Sequence, residues 1–549
     1  MANAVFRVPS PFNEPVKSYA PGTPERAEIR RRLEEMAGET MEIPCVIGGR
    51  AVRTGRTLEQ RIPHDHRRVL ARVHQAGPRE VQAAIRAAGE AWQSWSRMPF
   101  EARAAVFLKA AEILAGPLRA EANAATMLGQ SKTVHQAEID AACELIDFWR
   151  FNVQYAQQIY ADQPSSAPGT WNYMDYRALE GFVLAITPFN FTSIGGNLPT
   201  APAIMGNTVL WKPASTAVAS SYVIFRVLEA AGLPPGVVNF VPGPGSVVGP
   251  LVLERRELAG LHFTGSTDTF NAIWQKVGTN IGNYRTYPRL VGETGGKDFV
   301  FVHASADPDE VATALVRGAF EYQGQKCSAA SRAYIPQSLW ARIRRRMREQ
   351  LAEIKVGDVR EFSNFMGAVI DAASFRKLTG AIAQAKRSST ATIVAGGESN
   401  GKIGYFIEPT VIQFEDPKHR IMREELFGPV LAVHVYPDRE LDEALHLCDT
   451  GSPYGLTGAV FARDRLVIQA ISAALRHAAG NFYINDKPTG AVVGQQPFGG
   501  GRASGTNDKA GSPLNLIRWT SPRAIKELFV PPKDFRYPFL LPDAGEDRP

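Results

Sequence analysis

Before about residue 160, apolar residues recur at helical spacing. Two such runs stand out: Val81, Ile85, Ala88 and Trp92, followed by Ile139, Cys143, Ile146 and Trp149. Spacing of three to four residues lines one face of a helix. We therefore predict long helices over residues 78–159, then a Pro- and Ser-rich break at 163–169 and a short alternating strand at 171–176.

A different pattern begins at Gly181, where short apolar runs alternate with helical segments. The runs lie at residues 182–186, 208–211, 237–240 and 260–263. Continuous apolar runs are typical of strands that are covered on both faces, as in a parallel sheet. A second alternating block begins near Phe299 and continues to about residue 510. The whole pattern predicts an α/β fold with doubly wound sheets.

The composition fits a multidomain globular protein and excludes several function classes. With 549 residues, 44% of them hydrophobic and 21% charged, the chain is too long for one core. The net charge of +6 is small for this length, and the basic runs lie on helical patterns without interleaved aromatics, so we expect no nucleic-acid partner. Four scattered cysteines, with no Cys-x-x-Cys pair, predict neither a disulfide framework nor a metal site.

The N-terminal residues contain no apolar segment of the secretory kind. Residues 1–19 hold two basic side chains, Arg7 and Lys17, and no stretch of the chain has the length and hydrophobicity of a membrane span. We therefore predict a cytoplasmic protein without a membrane partner. The mitochondrial matrix is the alternative, if a transit peptide was removed.

Cys327 and Glu293 are the strongest catalytic candidates. Cys327 lies in Gly-Gln-Lys-Cys-Ser, a segment too polar for the core burial that is usual for an intracellular cysteine. The neighbouring Lys326 is expected to stabilise a thiolate. Glu293 precedes Thr-Gly-Gly-Lys, a turn that lets a ligand approach the backbone. A thiol and a carboxylate in one cleft would make a covalent-catalysis enzyme, whereas a buried thiol and a surface carboxylate would not.

Polar residues also follow the predicted strands of the first block. Asn190 is either an oxyanion donor or a turn-capping residue. Lys212 either binds a ribose or phosphate or is simply exposed. Gly265 and Ser266 stand between a strand and a helix, where free N–H groups attract phosphate. Phe270 occupies a place where the usual dinucleotide motif has glycine, so this pattern alone is a weak signal.

Taken together, these segments resemble the aldehyde dehydrogenase superfamily from about residue 45 to residue 510. Six motifs occur in register: Pro188-Phe189-Asn190-Phe191, Lys212-Pro213, Phe263-Thr264-Gly265-Ser266, Glu293-Thr294-Gly295-Gly296-Lys297, Gly324-Gln325-Lys326-Cys327 and Glu425-Leu426-Phe427-Gly428-Pro429-Val430. The resemblance implies an aldehyde dehydrogenase-like α/β fold with three parts. These are a Rossmann-type NAD-binding domain with an N-terminal helical region (1–168 and 182–292), an α/β catalytic domain (293–510), and a small β oligomerisation flap with the C-terminal tail (169–181 and 511–549).

A finer likeness is to the Δ1-pyrroline-5-carboxylate dehydrogenase branch of this superfamily. It rests on segments 137–148, 320–329, 490–500 and 504–509, and on Phe270 in the place of a glycine. The branch oxidises L-glutamate γ-semialdehyde to L-glutamate with NAD, the second step of proline catabolism. The resemblance therefore implies this activity, a homodimer or higher homo-oligomer, and a separate proline dehydrogenase as the metabolic partner.

The resemblance also implies a role for each matching residue. Cys327 would be the nucleophile, Glu293 would activate the hydrolytic water, and Asn190 would hold the oxyanion. The cofactor would contact Lys212, Ser215, Gly265, Ser266, Glu425 and Phe427. The substrate would contact Phe189, Lys326, Ser328, Gly490, Ala491 and Phe498, although core packing explains Phe498 nearly as well. Ser215 departs from the glutamate of many relatives, so NADP is a second cofactor to consider beside NAD.

Three other functions remain open at this point. Another polar semialdehyde, such as succinic semialdehyde, would need only a different substrate end-group. Acyl transfer to coenzyme A would not need a water-activating glutamate, so Glu293 argues against it. An inactive binding or structural protein on this fold is opposed by the joint presence of Cys327, Glu293 and Asn190.

Overall fold

Helices form most of the first third of the chain. The computed structural model describes residues 5–543. In chain order the elements are α1 (Pro24–Gly38), β1 (Met41–Ile43), β2 (Cys45–Ile47), β3 (Arg50–Val52), β4 (Thr57–Ile62), β5 (Asp65–His74), α2 (Pro78–Trp95), α3 (Phe100–Ala115), α4 (Arg119–Gln130), α5 (Val134–Ala137), a π-helix (Glu138–Glu144), α6 (Leu145–Ala161) and β6 (Thr170–Ala178). The long helical run that the apolar spacing predicts is thus present, but a π-helix interrupts it.

The first large sheet follows the predicted strand and helix alternation. Its elements are β7 (Phe182–Ile186), α7 (Thr192–Ile204), β8 (Thr208–Lys212), α8 (Val218–Ala231), β9 (Val238–Phe240), α9 (Gly245–Leu253), β10 (Leu258–Thr264), α10 (Thr267–Thr279), a 3₁₀ turn (Ile281–Asn283) and β11 (Arg289–Glu293). The strand order is β11-β10-β7-β8-β9-β2-β3, with β7 to β11 all parallel. Strands β2 and β3, from the N-terminal part of the chain, are antiparallel to their neighbours and form one edge of the sheet beside β9.

A second sheet of seven strands lies in the rest of the chain, together with strands of three two-stranded ribbons. In order come β12 (Phe299–Val302), α11 (Pro308–Phe320), a 3₁₀ turn (Glu321–Gly324), β13 (Arg332–Pro336), α12 (Gln337–Glu353), α13 (Ala372–Lys386), β14 (Ala391–Ala395), β15 (Ser399–Asn400), β16 (Phe406–Ile407), β17 (Thr410–Phe414), α14 (Arg420–Arg423), β18 (Val430–Tyr436), a 3₁₀ turn (Asp438–Glu440), α15 (Leu441–Thr450), β19 (Tyr454–Gly455), β20 (Thr457–Phe461), α16 (Arg465–Ala474), β21 (Asn481–Ile484), β22 (Gly501–Arg502), α17 (Pro513–Ile517), β23 (Thr520–Leu528) and a 3₁₀ turn (Pro538–Leu540). Its order is β14-β17-β18-β13-β12-β20-β21.

Helix starts follow from local sequence. The Ser266 hydroxyl accepts the backbone N–H of Thr269 and begins α10. The Asp307 carboxylate caps α11 in the same way, with Pro308 in the first turn, where its missing N–H costs nothing. Apolar faces then bury the helices against both sheets, with Trp95, Trp149 and Trp211 among the largest wholly enclosed side chains.

An antiparallel ribbon of β6 and β23 pairs Thr170 with Leu528 and Ala178 with Thr520. It carries exposed apolar side chains, including Trp171 and Leu528. The division into three domains stays a prediction, and its outermost residues, 1–4 and 544–549, lie outside the described part of the chain. Within residues 5–543, none of the helices has both the length and the apolar character to cross a bilayer.

Candidate active site

Four of the predicted site segments meet at one edge of the first sheet. The register pairs Ile186 with Lys212 and Thr264 with Glu293, so the carboxyl ends of these strands lie side by side. The loop to Asn190, Lys212 itself, the Gly265-Ser266 turn and Glu293 all follow from these ends. Parallel α/β sheets bind ligands at this edge.

The amino ends of the second sheet supply the remaining segments. Residues 294–298 join β11 to β12 directly. Cys327 precedes β13, and Glu425 and Phe427 precede β18, so all three stand at the starts of strands. A small cavity here is lined by Gly296, Lys297, Gly324, Lys326, Glu425 and Phe427 among others. The site is therefore a seam between two sheets.

Gly295 and Gly296 have no side chains, and their neighbours at the seam approach the backbone closely. A Cβ on Gly295 would lie 2.4 Å from the Glu425 carboxylate, and one on Gly296 would lie 2.3 Å from the Cys327 carbonyl oxygen. The Gly296 N–H donates to Glu425 Oε1 at 2.8 Å. The link thus contacts the nucleophile segment on one side and the Glu425 carboxylate on the other.

The Cys327 thiol is free and partly exposed, whereas Cys45, Cys143 and Cys448 are buried. Burial raises its pKa well above the usual range, and the carboxylates of Asp298, Glu293 and Glu425 add to the shift. Lys326, which is expected to stabilise a thiolate, places its ammonium 3.3 Å from Glu321 Oε2. Burial and the neighbouring carboxylates favour the thiol over the thiolate.

Glu293 is one of the carboxyl groups whose charge affects the Cys327 thiol. Burial raises its pKa well above the usual value, Lys509 opposes the shift, and Asp508 adds to it. Its Oε2 is buried without a hydrogen-bond partner among the described residues. Lys509 is held nearby by the carbonyls of Gly480 and Gly499, both at 2.8 Å. A buried carboxyl group of raised pKa in a cleft is a candidate for general acid–base chemistry.

Asn190 is fixed beside the nucleophile. The side chain is 4% exposed, and its Nδ2 donates to the Gln325 carbonyl at 3.0 Å, two residues before Cys327. One amide hydrogen stays available for a developing oxyanion. Asn190 therefore bonds to a distant segment of the chain, which a turn-capping role does not require.

The predicted cofactor residues divide between the two sheets. Lys212, buried at the end of β8, donates to the Pro213 carbonyl at 3.2 Å, while Ser215 is half-buried three residues on. Gly265 and Ser266 open α10, whose first N–H groups can hold a phosphate. Glu425 and Phe427 contribute from the second sheet, and Phe427 has a φ of 61°. A dinucleotide spanning the seam fits this set: its phosphates would lie at the start of α10 and its nicotinamide near Phe427.

Phe270 has a packing role that explains its departure from the glycine pattern. Its ring stacks on Phe263, with centroids 5.4 Å apart. The ring also covers Gly292, where a Cβ would come within 2.3 Å of it. The aromatic pair thus fills the space beside Glu293 and leaves the helix start free.

Two of the predicted substrate segments are joined beside Cys327. Ser328 donates to Thr489 Oγ1 at 2.8 Å, which ties the Cys327 segment to the loop at Gly490 and Ala491. Gly490 has φ 99°, a conformation that favours glycine. Phe189 packs edge-on against Phe427, at 5.7 Å between ring centroids.

Phe498 is half-buried, and its backbone exchanges two hydrogen bonds with Ala510. The following residue, Gly499, packs directly on Glu293, because a Cβ there would lie 2.9 Å from Oε1. Phe498 is therefore one residue away from the contact with Glu293.

Two ionisable residues of the site were not singled out by sequence. Glu144, on the π-helix, neighbours Lys326, and burial raises its pKa to about 8. Lys297 lines the cavity with its ammonium unpaired among residues 5–543, and burial followed by the Arg332 charge lowers its pKa to about 7. Both lie inside motifs that the family resemblance uses, but only the fold shows their burial.

Comparison with known proteins decides the family. A profile described as "Aldehyde dehydrogenase family" matches residues 51–525. The chain belongs to the aldehyde dehydrogenase family. The predicted fold class and the prediction of an aldehyde dehydrogenase enzyme are thereby confirmed.

Relatives within the family are named more narrowly. The chain is 52% identical to "Delta-1-pyrroline-5-carboxylate dehydrogenase, mitochondrial" of Dictyostelium discoideum, over 97% of this chain and 96% of that one. It is 53% identical to the Bos taurus protein of the same name, over 96% and 94%. The crystal structure of the Mycobacterium tuberculosis Delta-pyrroline-5-carboxylate dehydrogenase bound with NAD is 56% identical, with TM-score 0.95, over 98% of this chain and 100% of that one. This aldehyde dehydrogenase thus resembles the predicted branch along nearly its whole length.

Proposed function

We propose that this aldehyde dehydrogenase oxidises L-glutamate γ-semialdehyde, the open form of Δ1-pyrroline-5-carboxylate, to L-glutamate with NAD. The observation that carries the proposal is the meeting of Cys327, Glu293 and Asn190 at one seam. Relatives that share about half the residues over nearly the full length bear the corresponding name. Glu293, in a position to activate water, favours hydrolysis over acyl transfer to coenzyme A.

The first half of the cycle forms a covalent bond to sulfur. Cys327 gives its proton to solvent, and its sulfur attacks the aldehyde carbon. The carbonyl π electrons move to oxygen, and the oxyanion is held by the Asn190 amide and the Cys327 backbone N–H. NAD, when bound, supplies the hydride acceptor. Loss of hydride from the same carbon re-forms the carbonyl and leaves a thioester on Cys327.

The second half frees the product. Glu293 takes a proton from water as the water oxygen attacks the thioester carbon. The carbon–sulfur bond breaks, the electron pair returns to Cys327, and glutamate leaves with two carboxylates. The proton that Glu293 takes from water passes to solvent before the next turnover.

Recognition of the amino-acid end is proposed for the loop at Gly490 and Ala491. Backbone N–H groups of such a loop can hold a carboxylate without an arginine. Lys326 and Ser328 border the same space, and Ser328 is already bonded to Thr489. Glu144, close to Lys326, adds an acidic group on the side where an α-ammonium would lie.

Steady-state kinetics with three mixtures test the proposal. We expect rapid NADH formation with pyrroline carboxylate and NAD, and at least about tenfold lower kcat/KM with succinic semialdehyde, which lacks the α-ammonium group. Added coenzyme A should not change the rate. A higher kcat/KM with succinic semialdehyde, or a requirement for coenzyme A, would overturn this function.

The choice between NAD and NADP is proposed to depend on Ser215. A carboxylate at this half-buried position would repel a 2′-phosphate, and serine does not. We expect Ser215→Glu to lower kcat/KM for NADP by about tenfold or more while changing that for NAD little. Ser165→Glu adds the same charge to an exposed loop and serves as the control. An equal effect of both variants on NADP would show that net charge, not position, is responsible.

Assembly and partners are further proposals. The β6–β23 ribbon, with exposed Trp171 and Leu528, is the surface we propose for a homo-oligomer. A separate proline dehydrogenase would supply the pyrroline carboxylate. The names of these relatives include the word mitochondrial, which supports the mitochondrial alternative, and the cytoplasm stays a prediction.

A further inference from the structure

Lys132 is a wholly buried cation outside the set of residues that contact the reacting atoms. Its Nζ donates to Asp140 Oδ2 at 2.7 Å, with both side chains 0% exposed. The same ammonium lies over two aromatic rings, at 4.1 Å from the centroid of Phe191 and 4.4 Å from that of Tyr322. One side chain therefore contacts three different elements.

The Asp140 carboxylate connects this pair to the segment that carries Asn190. Its Oδ2 and Oδ1 accept the backbone N–H groups of Thr192 and Ser193, at 3.0 and 2.9 Å. These are the first two residues of α7, and an anion is favoured at such a helix start. Asn190 lies two residues before Thr192, with Phe191 between them under the lysine. The pair thus fixes the chain close to Asn190 through the backbone N–H groups of Thr192 and Ser193.

Tyr322 connects the same pair to the segment that carries Cys327. Tyr322 and Gln323 have φ of 53° and 56°, left-handed conformations that side chains adopt only when their surroundings impose them. The Lys132 ammonium holds the Tyr322 ring. Next to it, the Gln323 amide donates to the Ser131 carbonyl at 2.9 Å, so residues 131 and 132 fix both left-handed residues.

Asp140 stands on the π-helix, which interrupts the helical run between α5 and α6. The extra residue of a π-turn changes which side chains face inward, and such turns are frequent at functional sites. A buried ion pair is weak evidence for stability, because its desolvation cost offsets much of its attraction. A geometric role is consistent with both features.

We propose that the Lys132–Asp140 ion pair is a positioning element that sets the Asn190 amide against Cys327. This inference rests on the catalytic roles proposed above for those two residues. The pair touches neither substrate nor thiol. It holds the two segments that do, through Phe191 and the start of α7 on one side and through Tyr322 on the other.

The test is a double variant, Lys132→Met with Asp140→Asn, which removes both charges at nearly constant volume. Positioning errors of about 1 Å cost on the order of 100-fold in rate. We therefore expect kcat to fall about 100-fold, with the Kd for NAD within about twofold of wild type. Lys386→Met with Glu398→Gln removes an exposed pair of the same kind and should leave kcat unchanged. A wild-type kcat in the buried double variant would overturn the proposal.

A cycle with Asn190→Ala separates positioning from general damage. Removing an oxyanion donor costs about 10²- to 10³-fold in kcat. If the pair acts through Asn190, the triple variant should be no slower than Asn190→Ala alone. Multiplied losses would overturn the proposal. If the double variant does not fold, Asp140→Asn alone is measured for kcat and for the Kd for NAD. If neither variant folds, the ion pair is needed for folding and the positioning proposal fails.

The wild-type assay keeps the two proposals distinguishable. If wild type does not oxidise glutamate semialdehyde, the proposed substrate fails. The positioning inference is then decided with whichever aldehyde the wild type does oxidise, because it concerns Asn190 and Cys327 and not the substrate end-group.

Discussion

Replacing Cys327 with serine should lower kcat for aldehyde oxidation by about 10⁴-fold or more, the scale seen when a covalent nucleophile is removed. A serine hydroxyl is far less acidic than a thiol. Burial and three nearby carboxylates already disfavour an anion at this position. NADH formation, followed by absorbance under saturating aldehyde and NAD, measures the loss.

Cys448→Ser is the matched control. Cys448 is wholly buried in the core of the second sheet, so its loss should leave kcat close to wild type. Unchanged NADH formation by Cys327→Ser would refute covalent catalysis at this residue and, with it, the order of steps proposed above.

Replacing Glu293 with glutamine should separate the two halves of the cycle. We expect steady-state turnover to fall about 10²- to 10⁴-fold, the usual contribution of a general base. Hydride loss from the thiohemiacetal needs no activated water, so about one NADH per active site should still form. Rapid mixing measures this burst, and intact-protein mass spectrometry should detect the acyl group on Cys327.

The pH dependence of turnover gives a second readout for Glu293. Its pKa is raised, and only the deprotonated carboxylate accepts a proton. Wild-type kcat should therefore be high above this pKa and fall as pH drops through it. Glu293→Gln should lose that limb of the profile, whereas Glu254→Gln, at an exposed site, should retain it.

The burst experiment has its own contrary outcome. If Glu293→Gln forms no burst of NADH, Glu293 acts before hydride loss and not in hydrolysis of the thioester alone.

The edge of the first sheet was predictable, because apolar runs and strand ends are local properties. Asn190, Lys212, Gly265 and Glu293 each follow a strand, and parallel pairing alone brings such ends together. The family resemblance then added residues of the second sheet, including Glu425, whose place opposite Gly296 no periodicity indicates.

The supporting contacts were not predictable in the same way. The orientation of Lys326 depends on Glu321, which the left-handed turn at Tyr322 and Gln323 brings close. That turn has no glycine at its first two positions to signal it. Asp140 appears in sequence as one more polar residue in a helix, and only the π-turn and the distant start of α7 give it partners.

The link of residues 294–298 fixes the thickness of the catalytic seam. With no side chain on Gly295 or Gly296, the Cys327 carbonyl and the Glu425 carboxylate approach the link from both sides as closely as backbone permits. A methyl group on Gly296 would displace the backbone of Cys327, and one on Gly295 would displace the Glu425 carboxylate. The spacing between the Cys327 and Glu425 segments thus depends on two missing side chains.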